Sequence, residues 1–242
     1  MEKDRLPVCN PGHEGLQSRQ HERGFEEVSI KLVIFDFDGT IADTRKSIVV
    51  SKQEMMKRLG LPVKSDDECA SVIGLPAADG YRLLFPELSE EAINKCVEVS
   101  RDTFAESKEK YPPTVFDGIR EVLEELKRKG IKCSIASSRN NSSLKEFLKS
   151  WGMTEYFDYC LGADDTKNHK PDPEPVLVTL KDLNIDPEDA MVVGDTAFDI
   201  RMGQGAGIHT CAVTYGISKR AELETTGAEH IIDHISRLLE II

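Results

Sequence analysis

The chain has 242 residues, of which 39% are apolar and 31% are charged, proportions typical of a soluble globular protein with a hydrophobic core. Its formal net charge of −12 argues against a nucleic-acid partner or an anionic membrane surface, because an acidic surface cannot neutralise phosphate groups. An acidic envelope is still compatible with a local positive site for a small phosphorylated molecule.

The sequence contains no apolar run that approaches the length of a membrane span. Its first residues, MEKDRLPVCNPG, lack the apolar stretch of a secretory signal. The cysteines lie far apart without a CxxC pair: Cys9, Cys69, Cys96, Cys133, Cys160 and Cys211. We therefore expect a reduced, cytoplasmic protein without disulfides or zinc.

Residues 1–29 are polar and show no sustained periodicity, so they are predicted to form a flexible N-terminal tail. Residues 31–36 are a short apolar run, which is typical of a strand buried on both faces. This run leads directly into two aspartates, Asp36 and Asp38, followed by Gly39.

Helical periodicity begins near Thr44 and continues to about Tyr111. Apolar residues recur at helical spacing in SIVVSKQEMMKRLG, and Ser65 and Ser89 are each followed by acidic residues, as at helix N-termini. Pro112 and Pro113 then break the pattern. The sequence predicts an all-helical insertion over residues 44–114.

After the insertion, predicted helices and strands alternate. The helices are expected over 118–129, 142–151, 173–183 and 197–206, and the strands over 131–136, 157–161, 190–193 and 208–213. Such alternation predicts an α/β fold with a doubly wound, mostly parallel sheet. Its core comprises residues 30–43 and 115–242.

Polar residues follow the predicted strands at the edge of the sheet where open α/β proteins bind their ligands. They are Asp36 and Asp38, Ser137 and Ser138, Lys170, and Asp195 and Asp199. Converging carboxylates without a Cys or His cluster favour a hard cation, Mg²⁺ before Zn²⁺. A lysine and hydroxyls beside the cation would hold phosphate oxygens. One aspartate could then attack phosphorus while a second moves protons.

Four segments resemble the motifs of the haloacid dehalogenase-like (HAD) superfamily of phosphohydrolases. They are FDFDGT, the serine after the second strand, the lysine in HKPDP, and GDTAFD, in family order and at family-like spacing. The resemblance runs from about Lys31 to the C-terminus and implies a Rossmann-like core. The helical insertion resembles the α-helical cap of the phosphoglycolate phosphatase-like branch.

The resemblance implies catalytic roles for three residues. Asp36 would be the nucleophile and a metal ligand. Asp38 would be the general acid and base, and would bind the metal through its main-chain carbonyl. Lys170 would pair with the nucleophile and with the phosphoryl oxygens.

The resemblance also implies binding roles. Ser137 would hydrogen-bond the phosphoryl group, with Ser138 beside it, although many relatives have Asn at the position of Ser138. Asp195 would be the second metal-ligating carboxylate, and Asp199 an outer-shell metal residue. Asp199 could instead be only a first-turn acid favoured by the helix dipole, and Arg139 is interpreted as a solvated surface charge.

The expected function is a Mg²⁺-dependent phosphatase that hydrolyses a small phosphorylated metabolite through a phospho-aspartate. A sugar phosphomutase resembling β-phosphoglucomutase is the close alternative. Mutase relatives tend to carry a His early in the first cap helix, where this chain has Lys46-Ser47-Ile48. We expect a monomer or homodimer with no nucleic-acid or membrane partner.

Other classes stay open at this point. A dehalogenase would need no Asp38, and a phosphonate hydrolase would want a Schiff-base lysine, for which Lys46, Lys52 and Lys57 are candidates. A non-catalytic phospho-ligand sensor or a signalling receiver is the alternative outside enzymes. Cations of the insertion such as Arg45, Lys46 and Arg82 could bind a second anionic group of a substrate, although such residues are more often surface charges.

Overall fold

The structure is a computed structural model, and it describes residues 30–242. The predicted tail, residues 1–29, lies outside the described residues. The strands are β1 (Leu32–Phe35), β2 (Ala42–Asp43), β3 (Thr114–Val115), β4 (Lys132–Ala136), β5 (Tyr159–Leu161), β6 (Ala190–Gly194), β7 (His209–Val213) and β8 (His230–Ile232). The helices are α1 (Arg45–Arg58), α2 (Asp66–Ser71), α3 (Ala77–Leu84), α4 (Glu90–Lys110), α5 (Ile119–Arg128), α6 (Asn141–Ser150), α7 (Glu174–Leu183), α8 (Ala197–Ala206) and α9 (Arg220–Leu223).

Six strands form one parallel sheet in the order β5-β4-β1-β6-β7-β8. Strand β1 lies between β4 and β6, and all four of its residues are buried. Val33 and Phe35 join the hydrophobic cluster on one face of the sheet, whereas Leu32 and Ile34 join the cluster on the other. The predicted doubly wound α/β fold is therefore confirmed, and so is a first strand buried on both faces.

The sheet register places the ends of β1 and β6 side by side. Phe35 pairs with Val193, and the Asp36 amide donates to the Val193 carbonyl at 2.8 Å. Strand β4 ends on the other side of β1, with Ile135 opposite Phe35. Residues that follow these three strands therefore emerge together at one edge.

Helices α1–α4 occupy the helical insertion, a name kept here for residues 44–114. At its two ends, β2 and β3 form a short antiparallel ribbon, with Ala42 opposite Val115 and Asp43 opposite Thr114. The insertion has a hydrophobic cluster of its own that includes Met55. The ribbon was not predicted, because strands of two residues are too short to show alternation. The role of the insertion as a separate domain stays a prediction.

Several helix boundaries follow from the N-caps. Ser65 and Glu68 form the reciprocal capping box of α2, and Ser89 accepts from the Ala92 amide at 3.3 Å to begin α4, as predicted. Asn140 caps α6 through a hydrogen bond from the Ser143 amide. The serines that follow β4 are thus not needed as caps.

The predicted core helices are confirmed to within one residue at each end, and the predicted core strands to within two. The sequence interpretation missed β8 and α9, which are short and lie in a polar part of the chain. Between residues 30 and 242, no helix has both the length and the apolar character that crossing a bilayer requires.

Candidate active site

Asp36 is the first residue after β1 and is only 3% exposed. Its Oδ1 accepts a hydrogen bond from Lys170 Nζ at 2.5 Å. Its Oδ2 has no hydrogen-bond partner within residues 30–242. Burial is the main cause that raises the pKa of Asp36 to about 7, although the Lys170 ammonium acts in the opposite direction. The carboxylate thus keeps one oxygen fixed and one oxygen free for a new bond.

Lys170 belongs to the loop that follows β5, and its ammonium lies between the carboxylates of Asp36 and Asp199. Its ammonium donates to Asp36 Oδ1 and, at 2.7 Å, to Asp199 Oδ1. Burial alone would lower the pKa of Lys170, but the carboxylates of Asp199 and Asp36 raise it above its ordinary value. Lys170 is therefore a permanent cation that fixes the positions of both aspartates.

Asp195 follows β6 and is completely buried. Its Oδ1 accepts from the Thr40 hydroxyl at 3.1 Å and its Oδ2 from the Ile217 amide at 2.7 Å. Gly39, with a φ of +103°, and Gly216 lie so close to this carboxylate that a Cβ at either position would overlap it. Two loops thus enclose Asp195, and each needs a glycine to approach it.

Asp199 is a first-turn acid of α8 whose side chain also contacts Lys170. Its Oδ2 accepts from the Thr196 amide at 3.0 Å and from the Thr196 hydroxyl at 2.7 Å, which closes the capping box at the start of α8. Its other oxygen contacts Lys170. The cap fixes the direction of the side chain, so the residue is a helix N-terminal acid that also faces the site.

Asp36, Asp195 and Asp199 form a buried group in which one carboxylate oxygen from each lies within 4.8 Å of the others. Among the described ion pairs, Lys170 is the one cation paired with members of this group, and it contacts Asp36 and Asp199 but not Asp195. Burial, followed by the charges of Asp36 and Asp199, raises the pKa of Asp195 well above its usual range. A divalent cation would offset this excess negative charge, and an all-oxygen donor set with one unpartnered oxygen suits such an ion.

Asp38 is not a member of this triad and pairs with Arg139. The guanidinium forms a bidentate ion pair, with Nη2 at 2.5 Å from Asp38 Oδ1 and Nε at 3.1 Å from Oδ2. Its Cζ also lies 4.8 Å from the ring centre of Phe104 in the helical insertion and 5.0 Å from that of Phe147 in α6.

The interpretation of Arg139 as a solvated surface charge is therefore wrong. Its side chain is only 9% exposed, because the aromatic rings and the Asp38 carboxylate surround it. One signal in the sequence pointed to the site: Arg139 follows β4 by three residues, at the same sheet edge as the aspartates.

The two serines after β4 diverge. The Ser137 hydroxyl accepts from the Arg139 amide at 3.1 Å and lines a small cavity together with Lys170. The Ser138 hydroxyl donates to the Gly74 carbonyl at 2.6 Å, which links the core to the helical insertion. Ser137 is thus placed beside the buried lysine, whereas the hydroxyl of Ser138 is already used in a contact with the insertion.

A cavity of about 580 Å³ lies between the core and the helical insertion. The core contributes Asp36, Asp38 and Arg139 to its wall, and the insertion contributes residues including Lys52 and Tyr81. This volume suits a small ligand. The two aspartates predicted to be catalytic therefore line the same cavity.

The close approach around Asp195 predicts a large effect of Gly216→Ala. The added Cβ would overlap the Asp195 carboxylate and the Gly39 carbonyl oxygen, so the Asp195 side chain has to move. We expect a loss of about 1–3 kcal/mol in the free energy of unfolding and a weakened response of activity to divalent metal. Denaturant melts and metal titrations check this.

Gly205→Ala is the matched control for that change. Its Cβ would make only ordinary contacts with Pro173, and alanine is favoured within helix α8. If Gly216→Ala and Gly205→Ala have the same stability and the same metal response, the approach of this loop to Asp195 does not depend on Gly216.

The known proteins that this chain resembles include hydrolases and phosphatases. The family model for haloacid dehalogenase-like hydrolases matches residues 33–213. The chain is 34% identical to the phosphoglycolate phosphatase of Aquifex aeolicus (strain VF5) over 191 residues, which cover 78% of this chain and 87% of that protein. It is 31% identical to the pyrophosphatase PpaX of Bacillus anthracis (strain CDC 684 / NRRL 3495) over 215 residues, which cover 89% and 97%.

A solved structure shares the architecture. The crystal structure of a protein described as a predicted phosphatase from Clostridium acetobutylicum matches with a TM-score of 0.79 and 25% identity, and the match covers 88% of this chain and 97% of that one. The family model covers most of the chain and includes β1 and β6, which position Asp36 and Asp195. The chain therefore belongs to the haloacid dehalogenase-like hydrolase family and is an enzyme of the phosphatase type.

Proposed function

We propose that the enzyme hydrolyses a small phosphomonoester through a phospho-aspartate on Asp36, with Mg²⁺ as its metal. The observation that carries the proposal is the Asp36 carboxylate, buried at the cavity wall with one oxygen held by Lys170 and the other unpartnered. A carboxylate in this state can form a bond to phosphorus without first losing a hydrogen bond.

In the first step, an oxygen of Asp36 attacks phosphorus while the bond from phosphorus to the leaving oxygen breaks. Lys170 holds the Asp36 carboxylate in position and can donate a hydrogen bond to a phosphoryl oxygen. Asp38 is the proposed general acid that gives a proton to the leaving alcohol. Ser137, beside Lys170, is the proposed donor to a further phosphoryl oxygen.

In the second step, water attacks the phosphorus of the phospho-aspartate. Asp38, now ionised, takes a proton from this water, and the bond from phosphorus to the Asp36 oxygen breaks to release inorganic phosphate. The Arg139 guanidinium forms a bidentate ion pair with Asp38, which holds the side chain in position for this step. Its contact with Phe104 connects this ion pair to the helical insertion.

We assign the metal to the carboxylates of Asp36, Asp195 and Asp199 and to the main-chain carbonyl of Asp38, with Asp199 in the outer shell. When bound there, Mg²⁺ would offset the negative charge of the carboxylates and of the phosphoryl group. The support is the buried triad, whose oxygens lie within 4.8 Å of one another. The Thr40 hydroxyl and the Ile217 amide keep Asp195 directed toward this point.

A small phosphorylated metabolite is the proposed substrate class. The cavity of about 580 Å³ fits such a molecule, and two relatives carry the names phosphoglycolate phosphatase and pyrophosphatase. The stretch Lys46-Ser47-Ile48, where phosphomutase relatives tend to have a His, contains no histidine, and its residue Ile48 lines the cavity. This favours hydrolysis over the mutase alternative.

Hydrolysis of p-nitrophenyl phosphate after removal of divalent metal tests this function. We expect turnover to fall to background in excess EDTA and to return when Mg²⁺ is added, because the buried carboxylates repel a phosphoryl group unless a cation offsets them. Stopped assays for released phosphate, with and without Mg²⁺, measure the effect.

Two outcomes would contradict parts of the proposal. Unchanged turnover in EDTA would show that the reaction does not require a divalent metal. No turnover of p-nitrophenyl phosphate or of any phosphorylated metabolite in a broad screen, with Mg²⁺ present, would remove the phosphatase activity itself.

A further inference from the structure

Lys52 is a buried cation in the helical insertion that the reaction above does not use. It lies on α1, is 7% exposed and lines the same cavity as Asp36 and Asp38. Its Nζ lies 4.8 Å from the ring centre of Tyr81. Within residues 30–242, no carboxylate lies at ion-pair distance from this ammonium.

The other cations considered in the insertion are in a different situation. Arg45 pairs with Asp67 at the surface, and Arg82 pairs with Asp79 and Glu90. These guanidiniums already have carboxylate partners, so their positive charges are compensated without a substrate anion.

The two other lysines named as candidates on α1 also point away from the cavity. Lys46 is exposed and lies over the ring of Tyr111. Lys57 is exposed and pairs with Glu54 at 3.4 Å. Of the lysines on this helix that the sequence singled out, only Lys52 lines the cavity wall.

A buried ammonium without a counter-ion is unfavourable, because its hydration is lost and no nearby charge compensates. Burial accordingly lowers the pKa of Lys52 to about 8, with Asp38 and Cys69 acting in the opposite direction. The Tyr81 ring compensates for only part of the lost hydration. An anion bound in the cavity would supply the missing charge.

We propose that Lys52 binds a second anionic group on the leaving alcohol of the substrate, either a carboxylate or a second phosphate. Asp36 and Lys170 lie on the core side of the molecule, whereas Lys52 belongs to the insertion, so one small ligand in the cavity can contact both sides. The substrate class is then narrower than phosphomonoesters in general: its members carry a further anion beside the scissile phosphate. This inference rests on the proposed phosphatase function.

The Ser51 hydroxyl provides a polar neighbour on the same helix. It lines the cavity and shares a hydrogen bond with the Thr103 hydroxyl at 2.9 Å. Hydroxyls next to an ammonium are ordinary partners for carboxylate or phosphate oxygens. The cavity wall around Lys52 is thus suited to an oxyanion.

The test compares substrates that differ only in the second anion. The first pair is 2-phosphoglycolate and ethyl phosphate, and the second is 1,3-propanediol bisphosphate and propyl phosphate. The variants are Lys52→Met, which keeps the length and removes the charge, and Lys52→Arg, which restores the charge. Lys57→Met is the matched control, because it makes the same change on the exposed face of the same helix.

We expect the wild type to prefer, in kcat/KM, at least one probe that has the second anion over its partner that has the phosphate alone. Lys52→Met should lower kcat/KM for that probe by about 10- to 100-fold, the usual range for losing a hydrogen bond to a charged group. Turnover of the partner that has the phosphate alone should change by less than about twofold, a margin far below the same range. Lys52→Arg should recover part of the loss, and Lys57→Met should behave as the wild type.

The preference within each pair identifies whether carboxylate or phosphate is the second anion. The inference is overturned if the wild type hydrolyses p-nitrophenyl phosphate but prefers neither of the probes that have a second anion. It is also overturned if Lys52→Met slows both members of a pair equally, which would indicate a structural role. If borohydride traps a covalent adduct between Lys52 and phosphonoacetaldehyde, Lys52 forms a Schiff base and the anion-binding inference is wrong. If the wild type has no phosphatase activity, the proposed function and this inference are both wrong.

Discussion

Asp36→Asn is expected to abolish turnover while leaving the fold intact. The amide has the shape of the carboxylate but is not a nucleophile, so the bond to phosphorus cannot form. Deletions of a catalytic nucleophile reduce kcat on the order of 10⁴- to 10⁶-fold, and we expect a loss in this range. No phosphorylated enzyme should accumulate when the reaction is quenched in acid, which mass spectrometry of the intact protein would show.

The same substitution is expected to stabilise the metal-free protein. Asp36 is buried, and its pKa is raised from 3.8 to about 7. The folded protein therefore holds a proton on Asp36 that the unfolded chain has already released. The contribution of Asp36 to the free energy of unfolding is fully present below pH 3.8 and is lost as the pH rises through about 7.

Asparagine does not ionise, so the variant does not lose stability at this position as the pH rises. In EDTA, Asp36→Asn should therefore raise the melting temperature more at pH 8 than at pH 5. Lys170 keeps Asp199 as a partner in the variant, so its charge stays compensated. With Mg²⁺ present the difference should shrink, because the metal stabilises the wild-type carboxylate.

Asp43→Asn is the control for the loss of one negative charge, since Asp43 is exposed on β2. It should change neither turnover nor the pH dependence of melting. Turnover by Asp36→Asn at a rate near that of the wild type, in a preparation without contaminating enzyme, would show that another group attacks phosphorus.

The sequence predicted the parts of this site that depend on short segments of chain. The apolar run before Asp36 has to be buried, and its burial determines where the aspartate emerges. The strand before Asp195 is as apolar, and the two strands are adjacent in the sheet. Strand periodicity and the rule about strand ends were therefore enough to bring these aspartates together.

The parts that were missed depend on contacts between segments distant in the chain. Arg139 was interpreted as a surface charge because nothing local to it indicates burial, yet it contacts Asp38, Phe104 and Phe147. Lys52 was one of several lysines on α1, and the packing of Tyr81 against it and the cavity beside it distinguish it. The direction of a long side chain is set by its tertiary neighbours, which periodicity does not report.

The position of Arg139 also gives the helical insertion a role in the chemistry. The guanidinium contacts the Asp38 carboxylate on the core side and the Phe104 ring on α4. Ser138 makes a second link, through its hydrogen bond to the Gly74 carbonyl. A shift of the insertion would therefore act on the ion pair that holds Asp38, as well as on access to the cavity.

Asp38→Asn is expected to separate the two chemical steps. With p-nitrophenyl phosphate, the leaving group departs without much help from an acid, so Asp36 can still be phosphorylated. Hydrolysis of the phospho-aspartate needs a base, which asparagine does not provide. We expect a burst of p-nitrophenol equal to the enzyme concentration, followed by a steady state slowed by about 10²- to 10⁴-fold, the usual contribution of general acid–base catalysis.

Alkyl phosphates provide the contrast, because their alcohols are poor leaving groups and need the proton from Asp38. With these substrates the variant should show no burst, since formation of the phospho-aspartate also becomes slow. Stopped-flow absorbance for p-nitrophenol and acid quench for the phosphorylated protein distinguish the cases. Unchanged steady turnover in Asp38→Asn would show that Asp38, despite its place at the cavity wall beside Arg139, moves no proton in the slow step.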